Sequence, residues 1–111
     1  KTFTGPQRSG YLYKMIDHGT YKRRYFETNG YYLTYFKSKK KVKLLAALNL
    51  RKVDSITILE ELPSGHNAED ILSTGCFFQI EVNGNLYILR GASPSDTSRW
   101  VRVLKDLQQG V

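Results

Sequence analysis

The sequence predicts a mainly β domain with seven antiparallel strands. These would form a barrel-like sandwich of two orthogonal sheets, or a partly open barrel, capped by a C-terminal α-helix. Three observations support this fold class. Short segments rich in aromatic and β-branched residues alternate apolar and polar side chains with a period of two. Asparagine–glycine pairs separate two pairs of these segments, as in tight hairpins. The period changes to that of a helix only after Ser93.

Turn-forming residues separate the strands. Asn29 and Gly30 are the strongest hairpin signal, because both central positions of a type I′ turn need a positive φ. Residues 83–85 predict a second tight turn, residues 17–19 a polar turn, and residues 62–75 the longest loop. The strands are predicted at residues 11–16, 21–28, 31–36, 44–50, 53–59, 76–82 and 86–90.

An amphipathic helix is predicted as the last element. Ser93 is placed to cap it, Pro94 suits the first helical position, and Asp96 gives an acidic variant of the capping box. Gly110 predicts its end. We expect this helix to plug one end of the barrel and to leave the other end open. Its apolar stripe, at helical spacing, consists of Trp100, Val103, Leu104 and Leu107.

Length and composition indicate one domain with one core. The chain has 111 residues, 41% of them hydrophobic, which is ample for a globular protein of this size. Residues 1–8 are predicted to be a leader and residues 9–109 the domain. The chain starts at Lys1 without a methionine, so we expect the domain to be part of a longer protein. The single cysteine, Cys76, favours a reducing compartment.

Positive charge is concentrated in the first half of the chain. Residues 1–52 contain 13 Lys and Arg against 2 acidic residues, a net charge of +11. Residues 53–111 contain 4 basic and 8 acidic residues, a net charge of −4, which leaves the whole chain at +7. This asymmetry predicts a polyanionic partner for one side of the molecule, namely phospholipid headgroups, nucleic acid or an acidic protein.

Three cations occupy strand positions that should point inward. Lys14 shares a face with Leu12 in the first strand, and Lys22 and Arg24 share a face with Phe26 in the second. Burying an unpaired cation costs several kcal/mol, so the fold should not enclose these side chains. We therefore expect them at the open mouth of the barrel, where they converge on an anion.

Other polar side chains are expected around this mouth. Tyr35 shares a face with Leu33 in the third strand, so its hydroxyl should reach the mouth. Residues 37–43, KSKKKVK, are too charged for the core and predict a solvated loop at the same end. Each basic residue near an anionic leaflet adds about 1 kcal/mol of attraction. The lysines expected to act in this way are Lys39, Lys40 and Lys41.

The sequence predicts neither catalysis nor a cofactor. His18 and His66 are too few and too far apart for a metal site, and neither has a cysteine at zinc spacing. No nucleophile motif or glycine-rich phosphate loop is present. Nucleic acid is an alternative partner for a basic face with tyrosines. However, the aromatic residues alternate between the faces of core strands and no RNA-binding signature occurs, so none is expected.

Three motifs and the helix resemble the pleckstrin homology (PH) domain family over residues 9–107. The motifs are GYLYK at residues 10–14, YKRRYF at 21–26 and YLTYFKS at 32–38, and the helix carries a single tryptophan. The resemblance implies a seven-stranded antiparallel barrel-like sandwich with a helical cap. Members that bind phosphoinositides tightly carry a lysine in the first strand and a lysine-x-arginine in the second. Lys14, Lys22 and Arg24 match that pattern.

The resemblance also implies roles for these residues in binding an inositol headgroup. Lys14 and Arg24 would contact the 3-phosphate, with Lys22 beside them, and Tyr35 would face the 4-phosphate. A basic residue after the third strand often assists the tyrosine. Lys43 is the best candidate for it, and the competing residues are Lys39, Lys40 and Lys41.

The implied function is membrane targeting. The first turn is short and lacks the additional basic residue that strong binders often place there, so we expect a 3-phosphorylated phosphoinositide, either the 3,4-bisphosphate or the 3,4,5-trisphosphate. The domain would be cytoplasmic and recruited peripherally to the plasma membrane or endomembranes. The alternative is a protein-interaction module with weak, non-specific anionic lipid binding. It would use the sheet edge at residues 44–50 or the groove beside the helix.

His18 is expected beside the headgroup and the membrane surface. A nearby phosphate favours the charged imidazolium, so binding should strengthen as pH falls from about 7.5 toward 6. The alternative is a solvated turn residue without effect on binding.

Overall fold

The computed structural model of the chain describes residues 2–17, 19–61 and 75–110. His18 and most of the loop expected at residues 62–75 lie outside the described residues. In the described part, all seven predicted strands and the helix are confirmed. They are β1 Ser9–Asp17, β2 Thr20–Asn29, β3 Tyr32–Phe36, β4 Leu44–Asn49, β5 Ser55–Ile58, β6 Phe77–Val82, β7 Asn85–Arg90 and α1 Pro94–Gln108, with a short 3₁₀ turn, Leu50–Lys52, after β4.

The strands form one antiparallel sheet in the order β4-β3-β2-β1-β7-β6-β5. β1 pairs with β2 along nearly its whole length, from Ser9 opposite Glu27 to Asp17 opposite Thr20. It pairs with β7 only through Tyr13–Arg90 and Lys14–Leu89. The two halves of the predicted sandwich are therefore joined through β1, and β4 and β5 are the edges of the sheet.

One of the two predicted hairpin turns lies elsewhere than expected. Asn29 pairs with Tyr32, so the turn residues are Gly30 and Tyr31, and of these only Gly30 has a positive φ, 59°. The prediction of a type I′ turn centred on Asn29 and Gly30 is therefore wrong by one residue. Glycine at the first central position is typical of type II′. The observed register places Phe26 opposite Tyr35, and a shift of the turn would separate their stacked rings.

The second tight turn is confirmed. Val82 pairs with Asn85, and both central residues have positive φ, 51° at Asn83 and 78° at Gly84. This pair of left-handed residues is the type I′ arrangement, whose twist matches that of the flanking strands. The turn directs β7 back along β6 toward β1.

The helix begins and ends as predicted. Ser93 Oγ accepts a hydrogen bond from the Asp96 amide at 3.0 Å, and Asp96 Oδ2 accepts one from the Ala92 amide at 3.1 Å. Gly110, with φ 78°, donates to the Leu107 carbonyl at 3.1 Å. The buried stripe differs slightly from the prediction, because Val101 is buried and Val103 only partly so. Among the described residues, no helix is long and apolar enough to cross a bilayer.

The core lies between the sheet and the helix, and the helix closes one end of the barrel. The Trp100 ring lies 3.8 Å from the position that a Cβ atom on Gly10 would take. The helix therefore covers the Gly10 end of β1, and Lys14 lies four residues further along, roughly 13 Å away. The buried core residues include Leu12, Phe26, Leu33, Ile56, Phe78, Ile80, Leu89, Trp100, Leu104 and Leu107.

Candidate functional site

The inner face of β1 and β2 changes from apolar to cationic toward the end that the helix leaves uncovered. Leu12 is buried and lies opposite Arg24, and one step further along the same face Lys14 lies opposite Lys22. Directly opposed residues of an antiparallel pair share a face, with β-carbons about 5 Å apart. The structure therefore brings Lys14, Lys22 and Arg24 together on one inward surface. We call these three residues the cation cluster.

The cation cluster has no acidic counterpart in the described ranges. The ion pairs there involve other cations, Arg8 and Lys41. Lys14 Nζ donates to the neighbouring Met15 carbonyl at 3.2 Å, and the Arg24 guanidinium donates to the Arg23 carbonyl at 3.4 Å. Partial burial, and then the charge of Arg24, lower the pKa of Lys14. Both causes disfavour the ammonium. An anion bound between these side chains would directly offset the second cause, the repulsion between Arg24 and Lys14.

Two tyrosines form an aromatic wall next to the cation cluster. Tyr35 lies on β3 opposite Phe26, and their rings stack with centroids 4.8 Å apart and an interplanar angle of 18°. Lys14 Nζ lies 6.0 Å from the Tyr35 ring centroid and 5.4 Å from that of Tyr87. Burial, and then the neighbouring Tyr87, raise the pKa of Tyr35, while Arg24 opposes this rise. At neutral pH the Tyr35 hydroxyl is therefore a hydrogen-bond donor.

Tyr87 is the residue of this site that sequence reasoning missed. It lies opposite Ile80 on β6 and two residues before Leu89, and both of these residues are fully buried. The signal was present in β7, since Tyr87 and Leu89 alternate on one face. This alternation places Tyr87 at the mouth only when combined with the pairing of β7 and β1 at Lys14 and Leu89.

The lysine loop between β3 and β4 is tied to the outer face of the sheet. The Lys39 amide donates to the Tyr11 hydroxyl at 3.0 Å, and Lys41 Nζ forms an ion pair with Glu27 at 3.0 Å. Both Tyr11 and Glu27 alternate with inward-facing neighbours in their strands, so they lie outside the barrel. Lys41 also adopts the left-handed region, with φ 53°, in the turn that begins at Ser38.

The predicted membrane-facing lysines are thus not equivalent. Lys39, Lys40 and Lys43 are exposed and form no side-chain ion pair within the described part of the chain, whereas Lys41 is paired with Glu27. No contact brings Lys43 to the cation cluster in the described residues. His18, the remaining residue expected at this surface, lies outside them.

A polar hollow at the opposite end of β1 and β2 also contains a cation. Its lining includes Arg8, Glu27 and Thr28. Here, however, Arg8 forms a 2.7 Å ion pair with Asp96, and its guanidinium lies 5.3 Å from the Trp100 ring centroid. Because this cation is already neutralised, the hollow is a weaker candidate for an anion than the mouth.

The described residues contain no group of three or more His, Cys, Asp and Glu side chains that could hold a metal ion. The chemistry that the mouth offers is hydrogen-bond donation and positive charge. It comprises one guanidinium, two ammonium groups and two phenols. This set of donors suits phosphate oxygens.

Comparisons with known proteins agree with this fold. The PH domain family model matches residues 6–109. No curated protein matches the sequence. The PH domain of human oxysterol binding protein-related protein 11 has a TM-score of 0.76 at 22% identity, over 96% of this chain and 83% of that one. The C-terminal PH domain of pleckstrin, in a crystal structure with D-myo-Ins(1,2,3,5,6)P5, has a TM-score of 0.71 at 22% identity, over 96% of this chain and 99% of that one.

The mouse Ethanol Decreased 4 protein contains a further similar domain, with a TM-score of 0.74 at 19% identity, over 94% of this chain and 88% of that one. These identities are low, so the structural likeness bears on the fold alone. The family model covers nearly the whole chain and carries the assignment. The chain therefore belongs to the PH domain family.

Proposed function

We propose that this PH domain, a member of a family of lipid- or protein-binding modules, binds a 3-phosphorylated phosphoinositide, the 3,4-bisphosphate or the 3,4,5-trisphosphate, on the cytoplasmic leaflet. The observation that carries this proposal is Lys14 directly opposite Lys22, with Arg24 on the same inward face and no acidic counterpart in the described residues. Binding would recruit the protein that contains the domain to the plasma membrane or endomembranes.

The cost of this arrangement in the free domain argues for an anionic ligand. Like charges directly opposite each other across two strands destabilise a sheet, by a fraction of a kcal/mol up to about 1 kcal/mol. Lys14 is also partly desolvated. An inositol phosphate placed between the two strands would offset the repulsion and supply charged hydrogen-bond acceptors in addition to the backbone carbonyls that Lys14 and Arg24 already reach.

The individual roles follow from the family resemblance together with the observed geometry. Arg24, with its planar fork of donors, suits bidentate contact with the 3-phosphate, and Lys14 contributes a compact charge to the same group. Lys22 lies across from Lys14 and would assist it. Tyr35 would donate to the 4-phosphate. Lys43 remains the candidate for an additional contact from the β3–β4 loop.

One relative supports the class of ligand. The C-terminal PH domain of pleckstrin was crystallised with an inositol pentakisphosphate. That domain shares the fold of this chain, so an inositol phosphate is a sensible first ligand to test.

A panel of vesicles tests the proposal. The purified domain should be retained on vesicles that carry phosphatidylinositol 3,4-bisphosphate or 3,4,5-trisphosphate at physiological salt. Vesicles with equal charge from phosphatidylserine should retain much less, because diffuse attraction is screened by salt. Equal retention on both vesicle types would refute a specific phosphoinositide site.

A second candidate function is peptide binding at the edge strand β4. This strand pairs only with β3 in the sheet order, and Leu44–Asn49 contains no charged residue and no proline. Edge strands without such residues can accept an additional strand from a partner. Protection of β4 amides from hydrogen exchange by a protein partner, with no effect of inositol phosphates, would favour this function over the first.

A further inference from the structure

The Lys14 ammonium lies between two aromatic rings that come from different strands. Tyr35 approaches it from β3 and Tyr87 from β7, with centroid distances of 6.0 Å and 5.4 Å. β7 pairs with β1 on the side opposite to β2. Tyr87 therefore comes from the strand that flanks β1 on the side opposite to the strand of Lys22 and Arg24. Both distances are within the range in which a ring face attracts a cation.

Core packing does not account for the Tyr87 hydroxyl. Within residues 2–17, 19–61 and 75–110, neither Tyr87 nor Tyr35 uses its hydroxyl in a hydrogen bond, although both side chains are half-buried. Neither hydroxyl oxygen is fully buried, so both reach solvent at the mouth. Tyr87 is also close enough to Tyr35 to contribute to the raised pKa of that residue. The mouth thus contains two neighbouring phenol donors that are open to a ligand.

We infer that Tyr87 belongs to the anion site, where its ring holds the Lys14 ammonium in place and its hydroxyl donates to a phosphate monoester of the bound inositol. This inference rests on the proposed function and adds a residue to the site. The recognised chemistry is a phosphate group on an inositol ring, whether in a lipid headgroup or in a free inositol phosphate.

The electrostatics of the mouth favour a neutral donor at this position. A fourth cation next to Lys14, Lys22 and Arg24 would add to the repulsion that already contributes to the lowered pKa of Lys14. A phenol adds a phosphate contact without adding charge. Its ring also restricts the flexible lysine side chain before the ligand arrives, which lowers the entropic cost of binding.

Two substitutions separate the roles of the ring and the hydroxyl. Tyr87→Phe keeps the ring and removes the donor, whereas Tyr87→Leu removes both. Tyr13→Phe is the matched control, because Tyr13 is 42% exposed and lies on the outer face of β1. Each variant would be titrated by calorimetry with soluble inositol 1,3,4,5-tetrakisphosphate, and separately with vesicles containing phosphatidylinositol 3,4,5-trisphosphate.

We expect Tyr87→Phe to bind about tenfold more weakly in both titrations, the usual loss for one hydrogen bond to a charged group, with an unchanged melting temperature. Tyr87→Leu should bind more weakly still, and Tyr13→Phe should bind like the wild type. In NMR spectra, the Lys14 ε-methylene protons should be shifted upfield by the ring in the wild type and in Tyr87→Phe. This shift should decrease in Tyr87→Leu.

Wild-type affinity of Tyr87→Phe for the soluble compound would overturn the inference and leave the proposed function intact. A loss confined to vesicles would also overturn it, since the hydroxyl would then act at the membrane rather than on the phosphate. If the wild type itself binds neither ligand, the proposed function fails and this inference fails with it. Should Tyr87→Leu not fold, the Phe variant alone decides.

Discussion

Lys14 and Lys22 are cross-strand partners in the β1–β2 ladder, and both side chains lie on its inward face. A fold selected for stability alone would place opposite charges or apolar residues at such a pair. Here the next residue pair toward the core, Leu12 and Arg24, adds a third cation. If the mouth is the proposed anion site, the unliganded domain gives up stability there in favour of ligand binding.

This trade-off predicts opposite effects of one substitution on stability and on binding. Lys14→Met removes a partly desolvated cation and fills the same space with apolar atoms. The free energy of unfolding of the free domain should rise by about 0.5–1 kcal/mol, a modest gain because solvent screens the half-exposed group. Binding of inositol 1,3,4,5-tetrakisphosphate should fall at least about tenfold.

Urea denaturation and calorimetry of Lys14→Met would measure both quantities. Lys52→Met, which removes an exposed lysine from the 3₁₀ turn after β4, is the matched control and should change neither. A less stable Lys14→Met domain would show that Lys14 is a structural residue rather than one kept for binding.

The lowered pKa of Lys14 predicts how affinity depends on pH. A bound phosphate favours the ammonium, so headgroup affinity should decline as pH rises through the pKa of Lys14. Because this pKa is lowered, the decline should begin at a lower pH than it would with an ordinary lysine. The raised pKa of Tyr35 keeps its phenol protonated in this range. Calorimetric titrations at successive pH values above 7.5 would measure the decline, since the second ionisation of phosphate, near 6, is then complete.

The stability of the free domain should change in the opposite direction. The folded state disfavours the Lys14 ammonium, so the unfolded chain binds more protons between the folded and unfolded pKa values, and stability rises with pH in that window. Lys14→Arg stays charged and should lose both effects. An unchanged alkaline decline of affinity in Lys14→Arg would assign the titration to another group.

The ion pair between Lys41 and Glu27 predicts different contributions from the loop lysines. Glu27 holds Lys41 at 3.0 Å on the outer face. Glu27→Gln should release this lysine and strengthen binding to all anionic vesicles by up to about fivefold, the equivalent of about 1 kcal/mol for one basic residue near the surface. Lys41→Gln should weaken vesicle binding less than Lys39→Gln or Lys40→Gln.

Sedimentation with phosphatidylserine vesicles at two salt concentrations would check these variants of the loop. The ranking among phosphoinositides should stay the same in all of them, because the loop contributes diffuse attraction. Weaker vesicle binding by Glu27→Gln would contradict this role of the ion pair.

The positions of the strands along the chain and the inward cations were predictable because they depend on local patterns. A period of two places Lys14 with Leu12, and Arg24 with Phe26, wherever the strands pair. The helix was equally predictable, since its cap, stripe and terminal glycine all lie within residues 93–110. In each case the signal and the structure it determines are close together in the sequence.

The remaining features depend on contacts between distant residues. The role of Tyr87 in the site requires β7 to pair with β1, about 75 residues away in sequence. The position of the lysine loop depends on Tyr11 and Glu27, which belong to other strands. The β2–β3 turn is centred on Gly30 and Tyr31, in the register that stacks Phe26 on Tyr35, one residue from the position that its own asparagine and glycine predicted.

The most direct test of the account compares Arg24 with its neighbour Arg23. The two arginines lie on opposite faces of β2, and Arg23 stacks on the outer-face Tyr11 ring at 4.0 Å. Calorimetric titration with soluble inositol 1,3,4,5-tetrakisphosphate should show at least about a tenfold loss of affinity for Arg24→Ala, and a substantial loss for Arg24→Lys, because an ammonium cannot replace the guanidinium fork. Arg23→Ala should bind like the wild type. If Arg24→Ala also binds like the wild type, the mouth of the barrel is not the phosphoinositide site.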